Sequence, residues 1–317
     1  MNATPTVAAQ TERLGAGSRR GLSLRRYRII VWVAFVSLYV IIVTGSLVRL
    51  TGSGLGCIDW PACNEERFVD VSTPHAAIEQ LNRLFTGVVA ASVIAAVLAA
   101  LLVRPRQRRL VQLALWLVAG VVGQVVLGGI VVLTGLHPLS NMGHFLLSVA
   151  LMVGAYLLVD AVSTAGQEEA AKPPATRGGT LLVGARVIVV LTLAAIVTGT
   201  VVTGTGPHAG DETAPRFDFM ITSVVRVHGI AVWLVILSSL WFGFRLWRSG
   251  ADQRLQRGFE WFLFAAILQG ALGYVQYFTG VPVTLVAIHV ALSILVWLAA
   301  LRLATLARRY GGCDTMA

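Results

Sequence analysis

Three histidines, His144, His228 and His289, stand near the start of long apolar segments. Imidazole is rare at lipid depth, which makes an intramembrane ionisable residue a site candidate. A single such histidine can also be a hydrogen-bonded member of a helix bundle; duplication at matched depth argues against that reading here. Gln124 and Gln269, Leu127-Gly128 and Leu272-Gly273, Thr134-Gly135 and Thr279-Gly280, and His144 and His289 all lie 145 residues apart. His228, in SVVRVHGIAVW, has its counterpart 146 residues earlier in Asn82, in AAIEQLNRLFTG. One half therefore presents two histidines on neighbouring helices, and the other presents a histidine and an amide. Two imidazoles facing across a helical bundle are in the simplest reading the axial pair of a haem, because a porphyrin fits between helices and low-spin iron takes two axial nitrogens. Zinc needs more ligands, and no cysteine or further histidine lies at this depth. Gly128, Gly129, Gly229, Gly270 and Gly273 leave room for a macrocycle, although small residues also serve ordinary helix packing in membranes.

Glu79 stands three residues before Asn82, on the same helical face, and Arg83 follows it at i,i+4. Two readings stay open. The carboxylate and guanidinium neutralise each other inside the membrane, or Glu79 is a polar group at a reacting substrate and Arg83 a partner for a propionate. Val225 occupies the Glu79 position of the second half. This asymmetry suggests divided labour between a fixed cofactor and a labile substrate. Cys57 and Cys63 lie in the first outer loop with five residues between them. An extracytoplasmic face permits a disulfide; a metal pair joined by His75 is the alternative. Cys313 is left as a free thiol. His75, His137 and His208 lie at loop edges and read as solvated or capping residues rather than ligands.

These residues need elements to carry them. With 317 residues, 56% hydrophobic and 13% charged, and a mean hydropathy of +0.77, the chain cannot dissolve as a soluble domain. A bilayer core takes about 20 apolar residues per helix. Eight such runs lie near 27–48, 75–103, 110–133, 140–162, 181–203, 221–248, 258–279 and 284–305. The first is too long for a signal-peptide core and follows a polar, Arg-containing tail, so no cleavable signal is read. The first and fifth runs share Ile-Val-Thr-Gly and a small hydroxyl residue (Ile42 to Ser46, Ile196 to Thr200), then Thr-Gly-x-Gly (Thr51 to Gly54, Thr203 to Gly206), at offsets of 154 and 152. The duplication thus covers all four helices of each half. An even number of spans gives both halves one orientation. The expected fold is an all-α polytopic membrane protein, eight transmembrane helices as two tandem four-helix bundles related by a pseudo-twofold along the membrane normal. Its divisions are a disordered cytoplasmic tail (1–26), an N-terminal half (27–162), a cytoplasmic linker (163–180), a C-terminal half (181–305) and a cytoplasmic tail (306–317). The formal charge of +10 does not point to nucleic acid. With the N-terminus cytoplasmic, twenty of the twenty-five Arg and Lys fall on inner segments, while Asp59, Glu65, Glu66, Asp70, Asp211, Glu212 and Asp218 collect outside. That is the positive-inside rule with both termini cytoplasmic.

From residue 27 to 305 the chain resembles the haem A synthase family, membrane enzymes that oxidise a methyl group of haem O to the formyl group of haem A. The resemblance is carried by VRLTGSGLGCIDWPAC in the first outer loop and TGTGPHAGD after the fifth span, by Glu79 with Arg83, and by the histidines of spans four, six and eight. It implies that His228 and His289 ligate a permanent haem b and that His144 belongs to a substrate haem site in the N-terminal half. Glu79 matches the family's functionally important glutamate, and Cys57 and Cys63 its outer-loop pair. Asn82 departs from the pattern, since many members have a second histidine there. The substrate haem is then five-coordinate through His144, or another group or water completes it. Implied partners are haem O, the bilayer of the cell membrane, haem O synthase, cytochrome oxidase assembly and a quinol or other electron donor. The competing class is a b-type cytochrome passing electrons between quinol and a membrane partner; two equal bis-histidine sites and no lone carboxylate would mark it. A repeat-built solute carrier predicts broken helices, which the uninterrupted spans do not offer.

Overall fold

The computed structural model describes residues 21–165 and 179–310. Most of the expected N-terminal tail, the centre of the linker and Cys313 fall outside the described residues. Eight helices follow in order: α1 (Leu24–Leu50), α2 (Pro74–Leu102), α3 (Arg108–Leu133), α4 (Pro138–Thr164), α5 (Thr180–Thr205), α6 (Ile221–Ser249), α7 (Gln253–Phe278) and α8 (Val283–Tyr310). All eight are long and apolar enough to cross a bilayer. The chain is an all-α, multi-pass membrane protein. Its outward side chains, Trp116, Trp233, Trp247 and Phe264 among them, are exposed and apolar because lipid is their solvent.

The helix starts follow from capping. Thr73 accepts from the Ala76 N–H before Pro74, and Ser23 caps α1 in the same way. Asp252 accepts from the Arg254 N–H at 2.7 Å, so α7 begins several residues before the apolar run does. At its C-terminal end α8 runs on through Arg308 and Arg309, past the expected limit at 305.

The α3–α4 and α7–α8 turns set the depth of two histidines. The Thr-Gly pairs end α3 and α7, with Gly135 at φ 59° and Gly280 at φ 78°, and the next residues, Leu136 and Val281, are also left-handed at φ 61° and 58°. A left-handed branched side chain is strained. Both are held by the same bond: the Leu136 N–H donates to the Val131 carbonyl, and the Val281 N–H to the Gln276 carbonyl, each at 2.8 Å. The chain therefore reverses within a few residues. His144 and His289 follow at equal distances along α4 and α8.

α1 packs on α2 and α4, and α3 on α2 and α4; α5 packs on α6 and α8, and α7 on α8. Between the halves, α1 meets α8, α4 meets α5, and α4 meets α8, the neighbour relation that a two-fold exchange of halves requires. Across this seam the Tyr39 hydroxyl donates to the Ala291 carbonyl (3.2 Å) and the Trp297 indole N–H to the Val149 carbonyl (3.3 Å). α6 and α7 form the most sparsely packed pair of consecutive helices. The buried residues of α7, Leu255, Gly258 and Phe262, all belong to its N-terminal half, so the C-terminal bundle is most open near the α7–α8 turn.

Candidate functional site

Each candidate side chain sits against a glycine of the preceding helix. A Cβ at Gly199 would lie 3.2 Å from His228 Cε1, one at Gly273 3.2 Å from His289 Cε1, and one at Gly128 3.3 Å from His144 Cε1. The fourth seat is Gly45, whose Cβ would lie 3.9 Å from Asn82 Nδ2. Any larger residue at the three tight seats pushes the imidazole aside.

The residue before the glycine completes two of these seats. His228 Nδ1 lies 3.0 Å from the Ala195 carbonyl and 3.2 Å from Thr198 Oγ1. The carbonyl only accepts, so Nδ1 carries the proton and Nε2 keeps its lone pair. At the equivalent place Thr44 Oγ1 donates to Asn82 Oδ1 at 2.8 Å. The other two seats share a different support: Gln124 Nε2 donates to the His144 carbonyl (3.1 Å) and Gln269 Nε2 to the His289 carbonyl (3.0 Å). Nδ1 of both rings is buried without a partner. No protein group among the described residues engages Nε2 of any of the three rings.

This donor set fits a haem. In His228 the hydrogen bond at Nδ1 leaves Nε2 free, and in His144 and His289 neither ring nitrogen is engaged by a protein group among the described residues. His228 on α6 and His289 on α8 are carried by two helices that both pack on α5. A Cβ at Gly229 or Gly270 meets nothing within 4 Å, which leaves space beside the pair for a flat macrocycle. Among the described residues no group of three or more His, Cys, Asp or Glu converges. His228 and His289 could hold a resident haem, and His144 a second.

Glu79 and Arg83 form an ion pair on α2, with Nη2 2.6 Å and Nε 3.0 Å from Glu79 Oε1. Glu79 is buried, and its Oε2 accepts from the Cys57 N–H at 2.8 Å. Arg83 also donates to the carbonyls of Asp59 and Ala62 at 3.1 Å. Every strong contact of the pair is thus to its partner or to the first outer loop. Cys57 and Cys63 are bonded, with an S–S distance of 2.04 Å, so the metal-pair alternative gives way to the disulfide. Within that loop Trp60 lies over Gly129 of α3, next to Gly128, which faces His144. Farther along, the Ser72 backbone N–H holds the Asp70 carboxyl below the usual range.

His137 caps α4 by accepting from the Leu139 N–H, and His75 bonds Ser53 Oγ at 2.9 Å. His208 is partly buried: its Nε2–H donates to the Val281 carbonyl at 2.9 Å, and its own carbonyl accepts from Arg49 Nε at 2.8 Å. Sequence reasoning did not single out Thr44, Thr198, Gly45 or Gly199 as site residues, although the repeated Ile-Val-Thr-Gly pointed to all four. Nothing in the local sequence marked Trp60 as reaching α3.

The family described as cytochrome oxidase assembly protein matches residues 28–77 and 66–301. A haem A synthase of Listeria monocytogenes is 26% identical over 278 residues, 82% of this chain and 88% of that protein. The haem A synthase of Geobacillus kaustophilus is 34% identical over 129 residues, 40% of each chain. That of Lysinibacillus sphaericus is 39% identical over 75 residues, 22% of this chain and 24% of the relative. With its two specific outer-loop motifs, its paired histidine seats and this match along most of its length, the chain belongs to the haem A synthase family.

Proposed function

We propose that the protein is a haem A synthase of the cell membrane, an oxidoreductase that converts a methyl group of haem O to the formyl group of haem A, with both termini cytoplasmic. Its resident cofactor is haem b, held by His228 and His289; its substrate site lies in the N-terminal half at His144, with Asn82 opposite. One observation supports this division above the others. The four seats share a design, yet one of them holds an amide where its counterpart holds an imidazole.

Bound between His228 and His289, haem b supplies one-electron transfer. The protein's own part is to fix the ligands. The His228 Nδ1–H donates to the Ala195 carbonyl, which sets the tautomer and aims the Nε2 lone pair. At the substrate site Asn82 Oδ1 is held by Thr44, and a single imidazole, His144, remains as the nitrogen ligand. A substrate that must bind, react and leave is better served by this weaker set than by two imidazoles. Glu79 and Arg83 fix the disulfide loop that brings Trp60 over this half, so they act on turnover by positioning; the loop also limits access of water to the site. Methyl-to-formyl oxidation removes electrons from haem O and needs an oxidant; a quinol or other donor balances it only beside dioxygen, which would take up both sets of electrons and supply the oxygen atom. Haem O synthase and the oxidase assembly machinery are the natural neighbours for supply and delivery.

The test is expression in cells that make haem O but no haem A, followed by extraction of haems from the membranes. Haem A is expected with the intact protein. With His228→Ala or His289→Ala the low-spin b-type spectrum should vanish from an inserted protein. A bis-imidazole spectrum retained by both variants, or a haem-loaded protein that passes electrons and leaves haem O unchanged, would overturn the reading in favour of a b-type cytochrome.

A further inference from the structure

Arg49, in the VRLTGSG stretch, has a role that neither the haem ligands nor the disulfide loop explains. It is partly buried at the outer end of α1 and reaches across into the other half. Its Nε donates to the His208 carbonyl at 2.8 Å and its Nη2 to the Thr203 carbonyl at 3.0 Å. Beside it the Gly54 N–H donates to the Gly210 carbonyl at 2.8 Å, so the two outer-loop motifs dock on each other at this point. The ion pairs among the described residues are Arg67–Asp70, Arg83–Glu79 and Arg309–Asp160, and Arg49 belongs to none of them. A second cation, Arg216, docks on the same 203–208 stretch whose carbonyls hold Arg49. Arg216 likewise spends its donors on backbone carbonyls, those of Gly206, Pro207 and Ala214. Two guanidiniums brought together with no carboxylate repel each other, and a partly buried cation held only by carbonyls is costly. Both costs fall if an anion binds.

The location says which anion. Arg49 lies one turn outward of Gly45, the seat of Asn82, and Thr203 one turn outward of Gly199, the seat of His228. The guanidinium thus lies one turn, about 6 Å, above a seat in each half. The anionic groups of a haem held at those seats are its propionates, which avoid lipid by turning toward the nearer aqueous face. That face is the outer one, where Arg49 waits. We propose that Arg49 is an anion receptor shared by the two sites, and that its ligand is the carboxylate of a porphyrin propionate. Arginine suits this task better than lysine because its planar fork can keep two carbonyl bonds and still present N–H groups to a carboxylate.

The proposal rests on the haem reading above, and its test separates the two. Full-length protein made in haem-depleted cells is titrated with haem b and with haem b dimethyl ester; haem b-loaded protein is then titrated with haem O and its dimethyl ester. Intact protein should bind the ester about tenfold or more weakly than the acid in at least one arm, the loss expected for a charge-assisted hydrogen bond. Arg49→Gln should lower affinity for the acid toward that of the ester and leave ester binding unchanged. Arg49→Lys should retain an intermediate preference. The arm that responds identifies whether the carboxylate is that of the resident or the substrate haem. If Arg49→Gln keeps the full preference for acid over ester in both arms, the proposal is overturned. If that variant does not fold, intact protein alone decides, because equal affinity for acid and ester also overturns it. A protein that binds neither haem in either form would instead overturn the haem reading itself.

Discussion

At the scale of single residues, the four seats show how a membrane helix pair holds a ligand. Glycine removes the Cβ that would push the ring aside, and at the Ile-Val-Thr-Gly seats the preceding threonine fixes the inner edge of the occupant. Because Thr44 and Gly45 occupy the places of Thr198 and Gly199, the N-terminal half is already shaped for a second imidazole. Asn82→His should therefore fold normally. Thr44 Oγ1 should take the ring's Nδ1 as it now takes Asn82 Oδ1, leaving Nε2 to face His144. Loaded with haem O, this variant should show a second low-spin, six-coordinate spectrum that the natural protein lacks, and haem A output should fall as release slows. A spectrum and turnover identical to those of the natural protein would mean that Asn82 does not face the substrate iron.

At the scale of elements, the first outer loop and the turns before α4 and α8 do the positioning. Glu79 ties α2 to the loop through the Cys57 N–H, and Arg83 ties it through three carbonyls. If the pair works by holding the loop, Glu79→Gln should keep part of the output, since a glutamine carbonyl still accepts from Cys57. Glu79→Ala should lose most of it, with haem b spectra unchanged in both. If Glu79 relays protons to the substrate, Gln should be as inactive as Ala. The ratio of haem A to haem O in the two strains separates these outcomes. What could be read in advance divides along the same line. The eight spans were legible to within a few residues because lipid demands long apolar runs, and only capping by Asp252 and the basic inner end of α8 moved their limits. The histidines and Asn82 were legible because duplication put them at one depth. The contacts of Arg49 with His208 and Thr203 and of Trp60 with Gly129 were not. They join loops and helices far apart in the chain, and no local periodicity encodes which loop lies on which helix.

At the scale of the whole molecule, the two halves share one seam, formed where α4 and α8 meet and where each touches the first helix of the other half. Arg49 crosses it at the C-terminal end of α1; at the opposite end it is crossed by Arg309 on α8, whose Nη2 lies 2.6 Å from Asp160 Oδ2 on α4. These side chains are 26% and 12% exposed, so the pair is neither fully solvated nor deeply buried. Fully exposed pairs contribute about 0–1 kcal/mol, and breaking a buried one costs about 3–5 kcal/mol. Asp160→Asn should fall between these limits, at about 1–3 kcal/mol, because Arg309 would be left facing an amide at the edge of the bilayer. The loss belongs to the seam, so it should lower the apparent melting temperature of the protein in detergent and loosen haem retention in both halves together. Arg309→Gln should do the same. The charge-swapped double variant, Asp160→Arg with Arg309→Asp, should recover much of the stability, giving a clear coupling energy in a double-mutant cycle. Strictly additive losses would show that the two side chains act independently and that apolar packing among Trp297, Val149 and their neighbours, midway along the seam, holds the halves together.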